Sequence, residues 1–238
     1  YQSNISLINV YLKTMNNPII HIENLSISYN NQNILENINL EINEGDFIYL
    51  IGETGGGKSS LLKSIYKETE ISKGNILVSE YNLSNIKKNK IPYLRRKLGI
   101  VFQDFQLLGD RNVYKNLEFV LRSTGWKDKY KIKERITEVL NTVHLENIEK
   151  KMMHEISGGE QQKVCIARAL LNDPKIILAD EPTGNLDPEK SINIIHLMKE
   201  INEKGTTIII ATHDHAIIKE CPGKTYECAN GSLNEVKI

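Results

Sequence analysis

The chain has 238 residues, the size of one large domain or of a domain with a small subdomain. With 40% hydrophobic and 25% charged residues it matches a globular composition, which excludes collagen-like, disordered and disulfide-scaffold proteins. Thirty Lys and Arg balance thirty Asp and Glu, so no global basic field draws in nucleic acid or an anionic membrane surface, and no nucleic-acid partner is expected. Tyr1–Thr14 is apolar in places yet lacks a basic n-region and a small-residue cleavage site, which argues against a signal peptide. Because the chain opens with Tyr, Met15 is read as the natural start, residues 1–14 as an extension before it, and residues 15–238 as a single domain. From Ile19 to Tyr29, and again at Ile38, Leu40 and Ile42 after the polar stretch Asn30–Asn33, apolar and polar residues alternate, which predicts antiparallel strands of a small edge sheet. Asp46–Ile51 is a short apolar run, the pattern of a strand buried on both faces, and it leads into a glycine-rich turn and a helix from Lys58 to about Tyr66.

Further along, Ile132, Ile136, Val139, Leu140 and Val143 recur at helical spacing, so Lys131–Val143 is expected to be an amphipathic helix within a mainly helical segment at about 104–155. A helix at Glu160–Leu171, a buried strand at Lys175–Asp180, a helix at Pro188–Glu203 and a second buried strand at Thr206–Thr212 follow. Alternating buried strands and helices predict an α/β fold whose largely parallel sheet is covered on both faces. No apolar run approaches the ~20 residues of a membrane-spanning helix. Cys165, Cys221 and Cys228 show no metal-finger spacing and suggest a reducing compartment rather than a disulfide framework.

Three constellations carry chemistry. Gly52-Glu53-Thr54-Gly55-Gly56-Gly57-Lys58-Ser59 fits the spacing GxxxxGK[ST]. Glycines let successive backbone N–H groups turn onto phosphate oxygens, the following helix adds its positive end, Lys58 reaches the β- and γ-phosphates, and the Ser59 hydroxyl is placed for Mg²⁺. A chance match to the four specified positions is expected on the order of once in a hundred such chains. Ile176–Glu181 ends a buried strand with two adjacent carboxylates, so Asp180 can hold a metal through water and Glu181 can polarise an attacking water. Ser157-Gly158-Gly159-Glu160-Gln161 opens a helix; Ser157 can act as its N-cap, and the glycines also expose N–H groups to an anion.

Together these residues resemble the ATP-binding-cassette ATPases, over about Ile19 to Leu233. Tyr29 matches the family's adenine-stacking aromatic, Gly52 to Ser60 its Walker A loop, Gln103 its Q-loop glutamine and Ser157–Gln161 its signature. Asp180 and Glu181 match the Walker B pair, Asn185-Leu186-Asp187 the D-loop and His213 the switch histidine. The resemblance implies a P-loop fold with a mainly parallel core sheet, an N-terminal antiparallel β subdomain and a helical subdomain at about 104–155. It implies ATP and Mg²⁺ as ligands, with Ser59, Gln103 and, through water, Asp180 around the metal, and Glu181, His213 and Gln103 in catalysis. It also implies an ATP-sandwich homodimer, in which the signature residues complete the site of a second copy. Glu53 and Gly56 depart from what family members often carry, and Glu53 puts a carboxylate near the phosphates, where it could tune ATP affinity.

Within the family, Glu181–Asp187 is similar to the branch that holds lipoprotein-release, macrolide-export and cell-division ATPases. Leu94–Gly99 and Phe102–Asn116, with Asp110-Arg111 ahead of Val113-Tyr114, are most similar to the cell-division group. That resemblance implies an integral membrane partner of permease type docked through the groove near 104–116, a place at the cytoplasmic face of the bacterial inner membrane, and ATP cycles that control cell-wall hydrolases. The alternative is the ATPase subunit of a lipoprotein-release or macrolide-export transporter.

Overall fold

The computed structural model describes residues 18–29 and 32–238, and the extension expected over residues 1–14 lies outside them. The first alternating stretch forms β1 (Ile20–Tyr29) and β2 (Gln32–Ile42), paired antiparallel with Ile20 opposite Ile42 and Tyr29 opposite Gln32. Asn24 sits at φ +48° within the register shift between Ile22 and Leu25, which lets the apolar side chains on either side of it stay buried. β3 (Phe47–Ile51) is buried at every position and leads through the glycine loop into α1 (Lys58–Ile65). β4 (Lys73–Val78) and β5 (Tyr81–Asn82) complete a four-stranded antiparallel sheet in the order β2-β1-β4-β5.

The chain continues through α2 (Ile91–Arg96), β6 (Leu98–Val101), α3 (Val113–Ser123), α4 (Lys129–Thr142) and α5 (Gly158–Leu170). It closes with β7 (Ile176–Asp180), α6 (Pro188–Glu203), β8 (Thr207–Ala211), α7 (His215–Glu220), β9 (Lys224–Ala229) and β10 (Ser232–Val236). The second sheet runs β10-β9-β3-β8-β7-β6, parallel from β9 to β6, with β10 antiparallel at its edge. Its central strands are buried on both faces, and the period-2 alternation divides their side chains between two cores. Tyr49, Ile177, Ile208 and Ile210 face the core shared with α3 to α7, whereas Ile48, Leu50, Leu178 and Ile209 face the one shared with α1 and the antiparallel sheet.

Two helices start earlier than the periodicity predicts because their caps lie outside the apolar pattern. The Asp128 carboxylate accepts from the N–H groups of Tyr130 and Lys131, so α4 begins at Lys129, and the Ser157 hydroxyl accepts from Glu160 N–H, so α5 begins at Gly158. The helical segment at 104–155 contains α3, α4 and a short 3-10 turn at Met153–Glu155. The loop ahead of α3 is fastened by one buried amide: Asn116 accepts from Leu108 N–H and donates to the carbonyls of Leu108 and Arg111.

All three cysteines are free and buried, and burial pushes the thiols of Cys165 and Cys228 up to about 11. Iodoacetamide at pH 8 is expected to spare both in the native protein and to label all three after unfolding, as counted by intact mass. Asn116→Ala leaves the Leu108 N–H and two carbonyls without their partner and is expected to cost about 2 kcal/mol, lowering Tm by about 4–8 °C in a thermal melt.

Candidate nucleotide site

The site forms where three neighbouring parallel strands end. β3 runs into the phosphate loop, β7 into Asp180 and Glu181, and β8 into Thr212 and His213. The ladder continues past the strand ends: Thr212 N–H donates to Leu50 carbonyl and Glu181 N–H to Ala211 carbonyl, both at 2.9 Å. The three loops therefore leave the sheet in fixed register.

In the phosphate loop Gly52, Gly55 and Gly57 hold φ of +133°, +85° and +101°, a region that favours glycine. Gly52 has a second constraint, because a Cβ there would overlap the carbonyl oxygen of Cys228 in β9. Lys58 is buried, and its ammonium donates to the carbonyls of Gly52 at 2.6 Å and Glu53 at 3.1 Å. Glu53 thus supplies its backbone oxygen to the loop while the residue is exposed, as is Thr54; Ser60 is half-buried in α1. Ile34 and Leu35 of β2 lie against Gly57, which places the β1–β2 hairpin beside the loop. Tyr29, the last residue of β1, is 69% exposed.

Opposite the loop, the Ser59 hydroxyl donates to Asp180 Oδ1 at 2.9 Å. Burial raises the Asp180 carboxyl above its ordinary range and the adjacent Glu181 charge adds to this, while the Ser59 hydrogen bond works in the other direction. A hydroxyl and a carboxylate side by side are hard oxygen donors, which fits Mg²⁺ bound through one or two protein groups and water. Glu181 adopts φ +48°, a left-handed conformation that costs a non-glycine residue about 1–3 kcal/mol, and its Oε1 lies 2.9 Å from His213 Nδ1.

Gln103 is exposed after β6, and its carbonyl accepts from Asn185 Nδ2 at 2.9 Å. Its side-chain amide borders the turn that runs from Glu181 to Gly184. Asp187 caps α6, accepting from Lys190 N–H, and also pairs with the Lys190 ammonium at 2.6 Å. The structure therefore brings Lys58, Ser59, Asp180, Glu181, His213 and Gln103 to one end of the sheet.

The signature residues stand apart from this cluster. Ser157 and Glu160 form a capping box, with the Glu160 carboxylate accepting from both the N–H and the hydroxyl of Ser157 at 2.8 Å. Ser157, Gly159 and Glu160 line a separate cleft of about 360 Å³ together with Lys190 and His196. Leu186 packs against Gly158, and the Lys190 stem against Gly159. Sequence reasoning missed the Cys228 carbonyl, because any residue type supplies one and no side-chain signal marks it.

Known proteins resemble this chain in sequence and in fold. The family described as "ABC transporter" matches residues 35–184. The cell-division ATP-binding protein FtsE of Streptococcus pneumoniae serotype 2 is 41% identical over 216 residues, covering 90% of this chain and 94% of that protein. FtsE of Bacillus subtilis is 43% identical over 199 residues, 84% of this chain and 87% of that protein. Among solved structures, the ATP-binding cassette MJ0796, a dimer in a post-hydrolysis state bound to ADP and Pi, superposes with a TM-score of 0.81 at 31% identity, covering 92% of this chain and 98% of that one. With family match, relatives and fold in agreement, the chain belongs to the ATP-binding-cassette ATPases, on the branch of the FtsE proteins.

Proposed function

We propose that the chain hydrolyses ATP to ADP and phosphate as the nucleotide-binding subunit of an FtsE-like complex in cell division. The observation that carries the chemistry is the 2.9 Å contact between Glu181 and His213, set beside the Ser59–Asp180 pair at the mouth of a glycine loop. Water attacks the γ-phosphate in line, and catalysis is chiefly positioning and electrostatic stabilisation. Glu181 orients and polarises that water and takes its proton, while His213 holds the Glu181 carboxylate and meets the γ-phosphate. Lys58 exchanges the carbonyls of Gly52 and Glu53 for β- and γ-phosphate oxygens, and the N–H groups of the loop from Gly52 to Ser60 surround the phosphates. Ser59, Gln103 and, through water, Asp180 would hold Mg²⁺, which when bound neutralises charge on the phosphates. Tyr29 stacks on adenine, a role its exposure leaves open to it.

Ser157 and Gly159, with their neighbours Gly158, Glu160 and Gln161, complete the site of a second copy in an ATP-sandwich dimer. Their placement in a cleft away from the phosphate loop supports this reading, since a single chain then leaves each anion site half-built. Asn185, Leu186 and Asp187 lie between the two sites: Asn185 reaches Gln103, Leu186 packs on Gly158, and the Lys190 that pairs with Asp187 packs on Gly159. Among the described residues no helix is long and apolar enough to cross a membrane. The membrane partner in this reading is a separate FtsX-like permease, docked near 104–116, with the chain held peripherally at the cytoplasmic face of the inner membrane.

Glu181→Gln is expected to retain ATP binding and to slow turnover by roughly 10²–10⁴-fold, measured by phosphate release. Undiminished turnover would remove Glu181 from the mechanism. Affinity purification of the same variant with ATP from the native membrane is expected to recover a permease linked to cell-wall hydrolases. Recovery of a lipoprotein-release or drug-export permease would overturn the division role and leave the ATPase chemistry intact.

A further inference from the structure

Two residues past Gln103 the backbone enters an uncommon conformation. Phe105 and Gln106 are consecutive non-glycine residues in the left-handed region, at φ +53° and +51°. Such a pair persists only where its surroundings hold it. The holding group comes from the signature helix: Arg168 of α5 donates from Nη1 to the Gln106 carbonyl at 2.6 Å and from Nη2 to the Phe105 carbonyl at 2.8 Å. One turn earlier, the Cys165 thiol donates to the same Phe105 carbonyl at 3.2 Å. The guanidinium also lies 5.8 Å from the ring centre of Phe102, within cation–π range and immediately before Gln103. A planar fork holds its two parallel N–H groups at a fixed spacing on the two successive carbonyls, whereas an ammonium is a single point charge on a flexible stem.

The helix that carries Arg168 is itself fixed on the sheet. At Gly99 in β6 a Cβ would come within 2.9 Å of the Ala169 carbonyl, so α5 packs directly on the strand that leads into Gln103. On the other side, Asn185 holds the Gln103 carbonyl and the Glu181–Gly184 turn borders the Gln103 amide. The segment from Gln103 to Gln106 is thus suspended between the signature helix and the loop that bears Glu181.

We infer that Arg168 is a positioning residue for ATP hydrolysis: by clamping the Phe105 and Gln106 carbonyls to the signature helix it sets where Gln103 stands relative to Glu181. This rests on the roles of Gln103 and Glu181 proposed above. Arg168 acts through the backbone carbonyls it holds. Displacement of the 104–107 loop is then resisted through Arg168 by a helix anchored on the sheet, and loss of the clamp is felt at Gln103.

Arg168→Gln and Arg168→Lys in the full-length chain test this by two readouts. In hydrogen exchange without nucleotide, the amides of residues 104–107 are expected to exchange about tenfold faster in Arg168→Gln, while those of β3, β7 and β8 keep the wild-type rate. In steady-state ATP hydrolysis, kcat is expected to fall at least about tenfold with KM for ATP within about twofold, because misplacing a group by 1 Å can cost as much as 10²-fold. Arg168→Lys, which keeps the charge and loses the fixed fork, is expected to fall between the two. Unchanged exchange at 104–107, exchange raised uniformly across the protein, or kcat within twofold of wild type would each overturn the inference. If Arg168→Gln does not fold, Arg168→Lys carries the test alone, and wild-type exchange and kcat in that variant overturn it. The exchange arm reads the clamp without nucleotide, so absent ATPase activity in the wild-type chain would sink the proposed function while the clamp itself is still judged.

Discussion

The nucleotide site depends on the register of three parallel strands. Ile48 pairs with Ile209 and Leu50 with Ala211, while Ala179 pairs with Ile210 and Asp180 with Ala211. Because side chains alternate between faces, a slip of one residue in β7 would exchange the buried sets of the two cores and carry Asp180 away from Ser59. The apolar cost of such a slip is spread over both cores, so the Ser59–Asp180 distance is maintained by side chains far from it. The 2.9 Å Ser59–Asp180 contact joins residues 121 positions apart, and the ladder is what makes that separation short in space.

In the proposed function, anion recognition around this frame is divided between two helix starts. α1 begins at Lys58 behind three positive-φ glycines and opens onto the strand ends, whereas α5 begins behind Ser157 in a separate cleft. Both present unsatisfied N–H groups and the positive end of a helix, yet they differ in what occupies them. The α1 end is lined by a lysine resting on carbonyls, and the α5 end by the Glu160 carboxylate of its own capping box. Bonds from Ser157 to Glu160 hold that carboxylate ionised, with its pKa below the usual range.

Much of this was legible because the chemistry is local in the chain. The glycine loop, the Asp180-Glu181 pair and the Ser157–Gln161 turn are contiguous, and the strands that deliver the first two are apolar up to the ends that carry the chemistry. The edges were harder to read. β6 is four residues long, follows a run of basic residues and contains Gly99, so neither alternation nor a continuous apolar run marks it. The β9–β10 hairpin carried a usable signal in Asn230-Gly231, whose positive φ values of 51° and 75° suit a tight turn, but Lys224–Ala229 mixes charges into a strand that is parallel and half-covered. Arg168 was invisible for another reason: its partners are carbonyls of Phe105 and Gln106, about 60 residues away, and a backbone oxygen has no letter in the sequence.

In the proposed function, the resting arrangement of Lys58 has a consequence for how phosphate entry is driven. An ammonium buried among carbonyl dipoles has already lost most of its water, so an arriving phosphate need not strip it. Entry becomes an exchange of partners, from two neutral oxygens to charged ones, with the dehydration completed when the chain folded. Affinity on this account draws on the stability of β3 and α1, and mutations that loosen their packing would weaken nucleotide binding without altering any residue that touches it.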